Sequence, residues 1–133
     1  MSEPKPQAGK IIIPAGMTQP EPHEYAVADI FARAGKDVEF IKPSRIKGSR
    51  SPDVIIDGVL WEIKSPTGSG KYTVQTQLKR AAKQSKNIII DSSRTKLPDD
   101  FLVKELQKYY SLVKSIKRLT LVTKRGIIID INR

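Results

Sequence analysis

The chain has 133 residues, of which 38% are hydrophobic, and its formal net charge is +10. This length predicts one domain with one core, and no apolar run approaches the roughly 20 residues of a membrane span. The sequence contains no cysteine, which excludes disulfides, thiolate catalysis and cysteine-ligated zinc. Because so basic a chain attracts polyanions, its charge favours a nucleic-acid partner over an anionic membrane.

The first 22 residues differ in character from the rest of the chain. They are interrupted by five prolines (Pro4, Pro6, Pro14, Pro20 and Pro22), a pattern that predicts an irregular N-terminal segment over residues 1–22. Only Lys10–Ile13 offers a short strand or an anchoring segment there. We recognise no signal peptide in this segment, and we expect a single domain over residues 23–133.

Residues 23–133 alternate between helical and extended patterns. Apolar side chains at helical spacing mark three helices, and short β-branched runs mark the strands. In chain order we predict a helix over about 23–34, strands over 38–41, 54–56 and 59–63, a helix from an N-cap at Thr73 to about Lys86, a strand over 87–91, a helix opened by Pro98, and a hairpin of 119–122 and 127–131. The order α-β-β-β-α-β-α-β-β predicts the α/β (α+β) class, with a mixed central β-sheet flanked by helices.

The predicted hairpin over residues 54–63 carries the most informative charged residues. Asp57-Gly58 suits a two-residue turn, and this register places Asp53 opposite Glu62. Because strand side chains alternate between faces, Glu62 and Lys64 point to the same side. Two carboxylates and one ammonium group are therefore expected to converge on one patch of the sheet.

This combination of groups indicates phosphodiester chemistry. Two carboxylates suit a hard cation such as Mg²⁺ or Mn²⁺, which polarises a phosphate and lowers the pKa of bound water. We predict Asp53 and Glu62 as metal ligands, and Lys64 as the group that assists the attacking water or stabilises the transition state. The alternative is a surface Glu/Lys pair on an amphipathic strand, with Asp53 as an ordinary turn residue.

Two groups of basic residues flank the hairpin in the sequence. We predict that they contact phosphates; the alternative is a solvated charged face. The first group comprises Lys71, Lys79, Arg80, Lys83 and Lys86, on or beside the second helix, and the second comprises Arg45, Lys47 and Arg50, just before Asp53. Within the first group, Lys79, Lys83 and Lys86 recur at helical spacing and are expected to share one face.

Pro52-Asp53, followed after eight intervening residues by Glu62-Ile63-Lys64, resembles the motif of the PD-(D/E)xK nuclease superfamily. The resemblance covers roughly residues 23–91 and implies a restriction-endonuclease-like fold. It also implies an acid on the first helix near the metal, for which Glu24 is the candidate, and a glutamine on the next helix, for which we favour Gln77. The alternative role of Glu24 is to stabilise the dipole of its helix.

Residues 11–131 also resemble the C-terminal toxin domains of CdiA-type contact-dependent growth inhibition proteins. The resemblance is carried by Pro22-His23-Glu24, Trp61 to Pro66, Gln77 to Ser85 and Val122-Thr123-Lys124. It implies a nuclease toxin acting on RNA, with tRNA favoured and DNA left open, in the cytoplasm of a target cell. It further implies delivery as the C-terminal part of a larger exported protein, and neutralisation by an immunity protein, which we expect to be acidic.

Three alternatives remain open at the level of sequence. Other toxin nucleases are metal-independent, barnase-like RNases, and here His23, the only histidine, would be the acid and Glu62 the base. That scheme leaves Asp53 without a role. A DNA endonuclease of the same fold is the second alternative. The third is a non-catalytic nucleic-acid-binding module whose acids form structural salt bridges.

Overall fold

The computed structural model describes residues 8–43 and 51–132. These residues form one seven-stranded mixed sheet and three helices, with the strands arranged in the sheet in the order in which they occur in the chain. The elements are β1 (Ile11–Ile12), α1 (Pro22–Arg33), β2 (Val38–Phe40), β3 (Val54–Ile56), β4 (Val59–Lys64), α2 (Thr73–Ala82), β5 (Asn87–Asp91), α3 (Asp99–Leu112), β6 (Arg118–Val122) and β7 (Ile128–Asp130).

Parallel and antiparallel pairs meet in this sheet. β2, β3 and β4 are antiparallel neighbours, whereas β4, β5 and β6 are parallel and are connected through α2 and α3. β7 returns antiparallel to β6, and β1 is parallel to β2. The ends of β4, β5 and β6 and the start of β3 therefore lie together; we call this side of the sheet the carboxyl edge.

The core lies on both faces of the sheet. α1 buries Val27 and Phe31 against one face, and α2 and α3 bury Leu78 and Leu106 against the other. β5 serves both faces, because Ile89 belongs to the first cluster and Ile88 and Ile90 to the second. Coverage on both faces explains why this strand is almost wholly apolar.

The hairpin between β3 and β4 confirms its predicted register. Ile56 pairs with Val59, and the turn residues Asp57 and Gly58 have φ angles of 46° and 84°, the two positive values that a type I′ turn requires. Trp61 packs against the α1 cluster, so the alternation of the strand directs Glu62 to the opposite face.

The short strand that the sequence offered at Lys10–Ile13 is confirmed over Ile11–Ile12. Ile11 and Ile12 form β1 and pair with Val38 and Glu39, and the N–H of Val38 donates to the carbonyl of Lys10 at 2.8 Å. A two-residue edge strand needs few hydrogen bonds, so the prolines that surround it do not prevent its formation.

The prediction for α2 was wrong at both ends. Tyr72, rather than Thr73, is the N-cap residue, and the helix ends at Ala82 instead of continuing to Lys86. The N–H of Gln84 donates to the carbonyl of Ala81 at 2.9 Å, an i→i+3 bond of the kind that tightens and closes a helix end. Lys86 consequently lies in the connection to β5.

Candidate active site

Asp53 is fixed at the carboxyl edge by three strands. Its backbone N–H donates to the carbonyl of Trp61 at 2.9 Å, and its carbonyl accepts from the N–H of Ile41 at 2.9 Å. Its side-chain Oδ2 accepts from the N–H of Ile63 at 2.8 Å. The Asp53 carboxylate is thus hydrogen-bonded to the backbone of β4 at Ile63, the residue that follows Glu62.

Glu62 is a buried acid whose hydrogen-bonding capacity is not satisfied. Its side chain is 2% exposed, and within the described part of the chain its Oε2 has no hydrogen-bond partner. Lys64 Nζ lies 3.9 Å from this oxygen, close enough for ionic attraction but too far for a hydrogen bond. In native proteins a buried polar atom without a partner calls for an explanation, such as a catalytic role or an ion.

The surroundings of Glu62 favour its protonated form. Burial raises the pKa of Glu62 to about 9, helped by a hydrogen bond with the Asp53 side chain and by the charge of Asp53, while the ammonium of Lys64 opposes the shift. The Glu62 carboxyl therefore keeps its proton at neutral pH unless another positive charge approaches.

Glu24 brings a third carboxyl into the electrostatics of the site. Burial and the negative charge of Asp53 raise the pKa of Glu24, and the two residues line one cavity of about 420 Å³. Glu24 also accepts a hydrogen bond from the N–H of Glu21 at 3.3 Å. Glu24 thus interacts with the start of its own helix, as its alternative role predicts, and also interacts electrostatically with Asp53.

These donors fit a magnesium-type ion. Within residues 8–43 and 51–132, no three His, Asp or Glu side chains form a group that could hold a metal by themselves. Mg²⁺ commonly takes only one or two protein carboxylates and completes its shell with water and substrate phosphate. Asp53 and Glu62 supply such a pair, and the unpartnered Oε2 of Glu62 offers a ligand atom.

Gln77 lines a different cavity from Glu24 and Asp53. It is half-buried on α2 and, with Lys71 and Tyr72, lines a separate cavity of about 380 Å³. The cavity that contains Glu24 and Asp53 is lined by other residues. The role predicted for Gln77 beside the metal ligands therefore stays a prediction.

His23 lies at the start of α1, next to Glu24 in the chain. Arg94 Nη1 is 3.3 Å from its Nδ1 and 3.5 Å from its Nε2. The polar contact that His23 makes is thus with a loop arginine after β5, not with Glu62. A metal-independent pair of His23 and Glu62 has no direct contact in this arrangement.

The predicted basic surface is exposed. Four ion pairs occur in the described ranges, and none involves a member of the first basic group, whose five side chains all face solvent: Lys71, Lys79, Arg80, Lys83 and Lys86. Lys71 also lies 5.6 Å from the centre of the Tyr72 ring. The second group, Arg45, Lys47 and Arg50, falls outside the described residues.

Sequence reasoning missed Asp91, a buried acid at the end of β5. Asp91 is 2% exposed; its Oδ2 accepts from Ser65 Oγ at 2.8 Å and Ser93 Oγ at 3.0 Å, and its Oδ1 accepts from the N–H of Ser93 at 3.0 Å. The available signal was its position, because an acid that ends an apolar strand parallel to β4 must lie at the carboxyl edge.

Lys124 also has a role that its sequence position did not reveal. Its Nζ donates to the carbonyl of Leu97 at 2.6 Å and to Ser92 Oγ at 3.2 Å. The same atom is 3.6 Å from Asp99 Oδ1. Lys124 therefore anchors the start of α3 to the end of β6.

Comparison with known proteins assigns the chain to a family. The family model of the contact-dependent growth inhibition CdiA C-terminal domain matches residues 50–128. The chain belongs to this family. The match to the CdiA C-terminal domain includes Asp53, Glu62, Lys64 and Asp91, but begins after His23 and Glu24. A comparison with curated proteins gave no match.

A solved structure shares the fold of this CdiA C-terminal domain. It is the CdiA-CT/CdiI toxin and immunity complex from Burkholderia pseudomallei, with a TM-score of 0.69 at 19% sequence identity. The alignment covers 91% of this chain and 98% of the other. At this identity the likeness shows the fold alone. No helix in the described ranges is long and apolar enough to cross a membrane.

Proposed function

We propose that this chain is a toxin domain that hydrolyses phosphodiester bonds with Mg²⁺ or Mn²⁺, and that RNA, with tRNA favoured, is its substrate. The observation that carries the proposal is the buried Glu62, whose unpartnered oxygen lies beside Lys64 and whose pKa is raised by burial and by Asp53. Membership of the CdiA C-terminal domain family supports the toxin assignment. The spacing of Asp53, Glu62 and Lys64 supports a PD-(D/E)xK-type, restriction-endonuclease-like site.

Each residue has a physical role in this proposal. Asp53 and Glu62 would hold the cation, which would supply Lewis-acid polarisation of the phosphate and a more acidic water. Lys64, half-buried and 3.9 Å from Glu62, places a positive charge where the phosphate gains negative charge. Glu24 lines one cavity with Asp53; burial and the charge of Asp53 raise its pKa, and a cation bound nearby would favour its carboxylate form.

The raised pKa of Glu62 argues against the metal-independent scheme. A general base must be deprotonated at the working pH, whereas Glu62 without a cation keeps its proton up to about pH 9. A divalent ion reverses this preference, because its charge stabilises the carboxylate.

The non-catalytic module explains the site less well than the nuclease does. A structural acid in the core is expected to have its oxygens satisfied, but the described part of the chain offers Glu62 Oε2 no hydrogen-bond donor. Its ion pair with Lys64 is long, at 3.9 Å. A buried acid with an unpaired oxygen lowers the stability of the folded protein. Such a cost is expected at a binding or catalytic centre.

A cleavage assay tests the proposed function. Purified protein is incubated with total tRNA and with plasmid DNA, each with Mg²⁺ or with EDTA, and Asp53→Ala and Lys64→Ala serve as controls. We expect metal-dependent loss of tRNA that both substitutions abolish. Loss of plasmid DNA instead would change the substrate to DNA, and RNA cleavage that persists in EDTA would contradict the metal site.

We also propose a protein partner, an acidic immunity protein that covers the first basic group. The support is the exposure of these five cations and the absence of any ion pair to them in the described ranges. The fold is shared with a chain of a toxin and immunity complex. Lys79→Glu with Lys83→Glu should weaken such a complex in a pull-down, and an unchanged affinity would remove these residues from the interface.

The proposed site of action is the cytoplasm of a target cell, reached after delivery as the C-terminal part of a larger exported protein. Family membership supports this route. Expression of the domain inside a bacterial cell should stop growth, and Glu62→Gln should relieve the arrest. Continued growth with full-length soluble protein present would contradict this assignment.

A further inference from the structure

Arg94 is an exposed arginine in the loop that follows β5. Within residues 8–43 and 51–132, it forms no ion pair, and its polar contact is with the imidazole of His23. Its Nη1 is nearly equidistant from both ring nitrogens, at 3.3 and 3.5 Å, which exceeds the 2.7–3.2 Å of well-formed bonds from N–H donors. The guanidinium therefore rests against the ring and keeps most of its five N–H donors for another partner.

A continuous set of contacts places Arg94 at the carboxyl edge, beside the candidate active site. On one side, Ser65 follows Lys64 in the chain and donates to Asp91, which also accepts from Ser93, the residue before Arg94. On the other side, His23 precedes Glu24, which lines one cavity with Asp53. Arg94 is thus connected to Lys64 through Asp91 and Ser65, and to the carboxylates of the site through His23.

The backbone around Arg94 is held in place from both directions. Before it, Ser93 makes two hydrogen bonds to the buried Asp91, both 3.0 Å long. After it, Thr95 is buried, and its Oγ1 donates to the carbonyl of Gly68 at 2.7 Å and accepts from the N–H of Leu97 at 3.2 Å. An exposed side chain on a fixed backbone is suited to binding, because little further ordering is needed.

The neighbours of Arg94 make its lack of an acidic partner informative. Glu24 is adjacent in sequence to His23, yet the guanidinium contacts the imidazole and not the carboxyl. A planar guanidinium matches the oxygens of a phosphate with two parallel hydrogen bonds. The acids of the site would repel a nucleic-acid backbone, so a cation is needed beside them to retain it.

We propose that Arg94, supported by His23, binds a phosphate of the nucleic-acid backbone at the margin of the candidate active site. This assigns His23 a supporting role for the guanidinium instead of that of a general acid. The inference rests on the proposed function for the nature of the ligand. It does not depend on cleavage, because an arginine–phosphate contact contributes to binding even when no bond is broken.

Binding measured without cleavage tests this inference. A fluorescein-labelled single-stranded RNA is titrated, in EDTA and at several salt concentrations, with Glu62→Gln protein, so that the probe stays intact. The same titrations are made with Arg94→Ala, Arg94→Lys and Arg33→Ala added to that background. Arg33 is the matched control, because it is an exposed arginine at the other end of α1 that pairs with Asp29.

We expect Arg94→Ala to weaken binding several-fold and to reduce the slope of log affinity against log salt by about 0.7, the value for one phosphate of a single strand. Arg94→Lys should restore the slope, and Arg33→Ala should leave it unchanged. The inference is overturned if Arg94→Ala and Arg33→Ala behave alike, if lysine fails to restore the slope, or if the Glu62→Gln parent binds no RNA.

The titrations, taken together with the cleavage assay of the wild-type protein, separate this inference from the proposed function. If the wild-type protein cleaves no nucleic acid with any metal, but Arg94→Ala still lowers the salt slope, the nuclease proposal fails and the phosphate site stands. If the wild-type protein cleaves RNA and Arg94→Ala binds as tightly as Arg33→Ala, the nuclease proposal stands and Arg94 has no such role.

Discussion

Asp53 Oδ2 accepts a 2.8 Å hydrogen bond from the backbone N–H of Ile63. This bond holds the Asp53 carboxylate at β4. The pKa of the neighbouring Glu62 is raised by burial and, in addition, by the hydrogen bond and the charge of Asp53. At the end of the hairpin, the N–H of Ile63 therefore donates to the Asp53 side chain instead of to a backbone carbonyl of the neighbouring strand. The fold thereby holds two carboxyl groups together that would repel each other if both were ionised.

The first prediction concerns the stability of Glu62→Gln. Glutamine removes the cost of a buried acid, so the free energy of unfolding at pH 7 should rise by at least about 1 kcal/mol, the equivalent of one unit of pKa shift. Urea denaturation measures the change. Glu39→Gln is the matched control, because Glu39 is exposed on β2, and it should have little effect.

The pH dependence of stability follows from the same shift. The pKa of Glu62 is 4.5 for an ordinary side chain and about 9 in the folded protein, so between these values the folded state binds a proton that the unfolded state has lost. The free energy of unfolding should therefore fall as pH rises from about 5 to 9. Glu62→Gln should flatten this decline, and an equally steep decline in that variant would contradict the assignment.

The second prediction separates the charge of Asp53 from its hydrogen bond. Asp53→Asn keeps an oxygen acceptor for the N–H of Ile63 but removes the negative charge, so the pKa of Glu62 should fall, which a carboxyl NMR titration would detect. Asp53→Ala removes the acceptor as well and should destabilise the fold by about 1–3 kcal/mol. Both variants should lose cleavage, and an asparagine variant with full activity would exclude Asp53 as a metal ligand.

The third prediction concerns metal binding. Because Mg²⁺ would bind the folded site and not the unfolded chain, it should raise the melting temperature of the wild-type protein as its concentration passes the dissociation constant. Binding should also release the proton of Glu62, which calorimetry in buffers of different ionisation enthalpy would measure. Glu62→Gln should show neither effect, whereas equal stabilisation of that variant would indicate metal binding elsewhere.

The fourth prediction concerns Asp91. Asp91→Ala removes the buried acceptor of three hydrogen bonds from Ser65 and Ser93, and we expect a loss of about 1–3 kcal/mol, because each such bond contributes about 1 kcal/mol net. Asp100→Ala, at an exposed position in the first turn of α3, should cost less than about 1 kcal/mol. Thermal unfolding of the two variants compares them directly, and equal losses would contradict the linking role of Asp91.

The fifth prediction concerns the basic end of α2. Lys79→Ala with Lys83→Ala should weaken RNA binding and lower the salt slope by about 1.4, the value for two phosphates of a single strand. The matched pair is Lys104→Ala with Lys108→Ala, which removes the same charge from exposed positions on α3. Equal slopes for the two pairs would show that only net charge matters.

Local patterns were sufficient to predict the hairpin that carries the site. The alternation of residues 54–63 and the Asp57-Gly58 turn determined the register, and that register determined which side chains share a face. The three helices were likewise predicted from helical spacing. These features depend on interactions between near neighbours, which the sequence displays directly.

Features that depend on distant contacts were not predictable in the same way. The sequence offered a strand at Lys10–Ile13 but not its partner Val38, which is 27 residues from Ile11, and the contact between His23 and Arg94 spans 71 residues. α2 ends earlier than predicted because i→i+3 hydrogen bonds close it. The residue types in its last turn do not signal a helix end. Asp91 was overlooked because its partners, Ser65 and Ser93, carry no signal of their own.

The most direct test of the central claim is single-turnover cleavage of tRNA by the wild-type protein, Glu62→Gln and Glu39→Gln, each with Mg²⁺ and with EDTA. If the Asp53 and Glu62 pair is a metal-dependent catalytic centre, the wild-type protein and Glu39→Gln should cleave equally with Mg²⁺ and not in EDTA. Glu62→Gln should be inactive in both, although it is folded and more stable. Cleavage by Glu62→Gln at the wild-type rate would contradict the account.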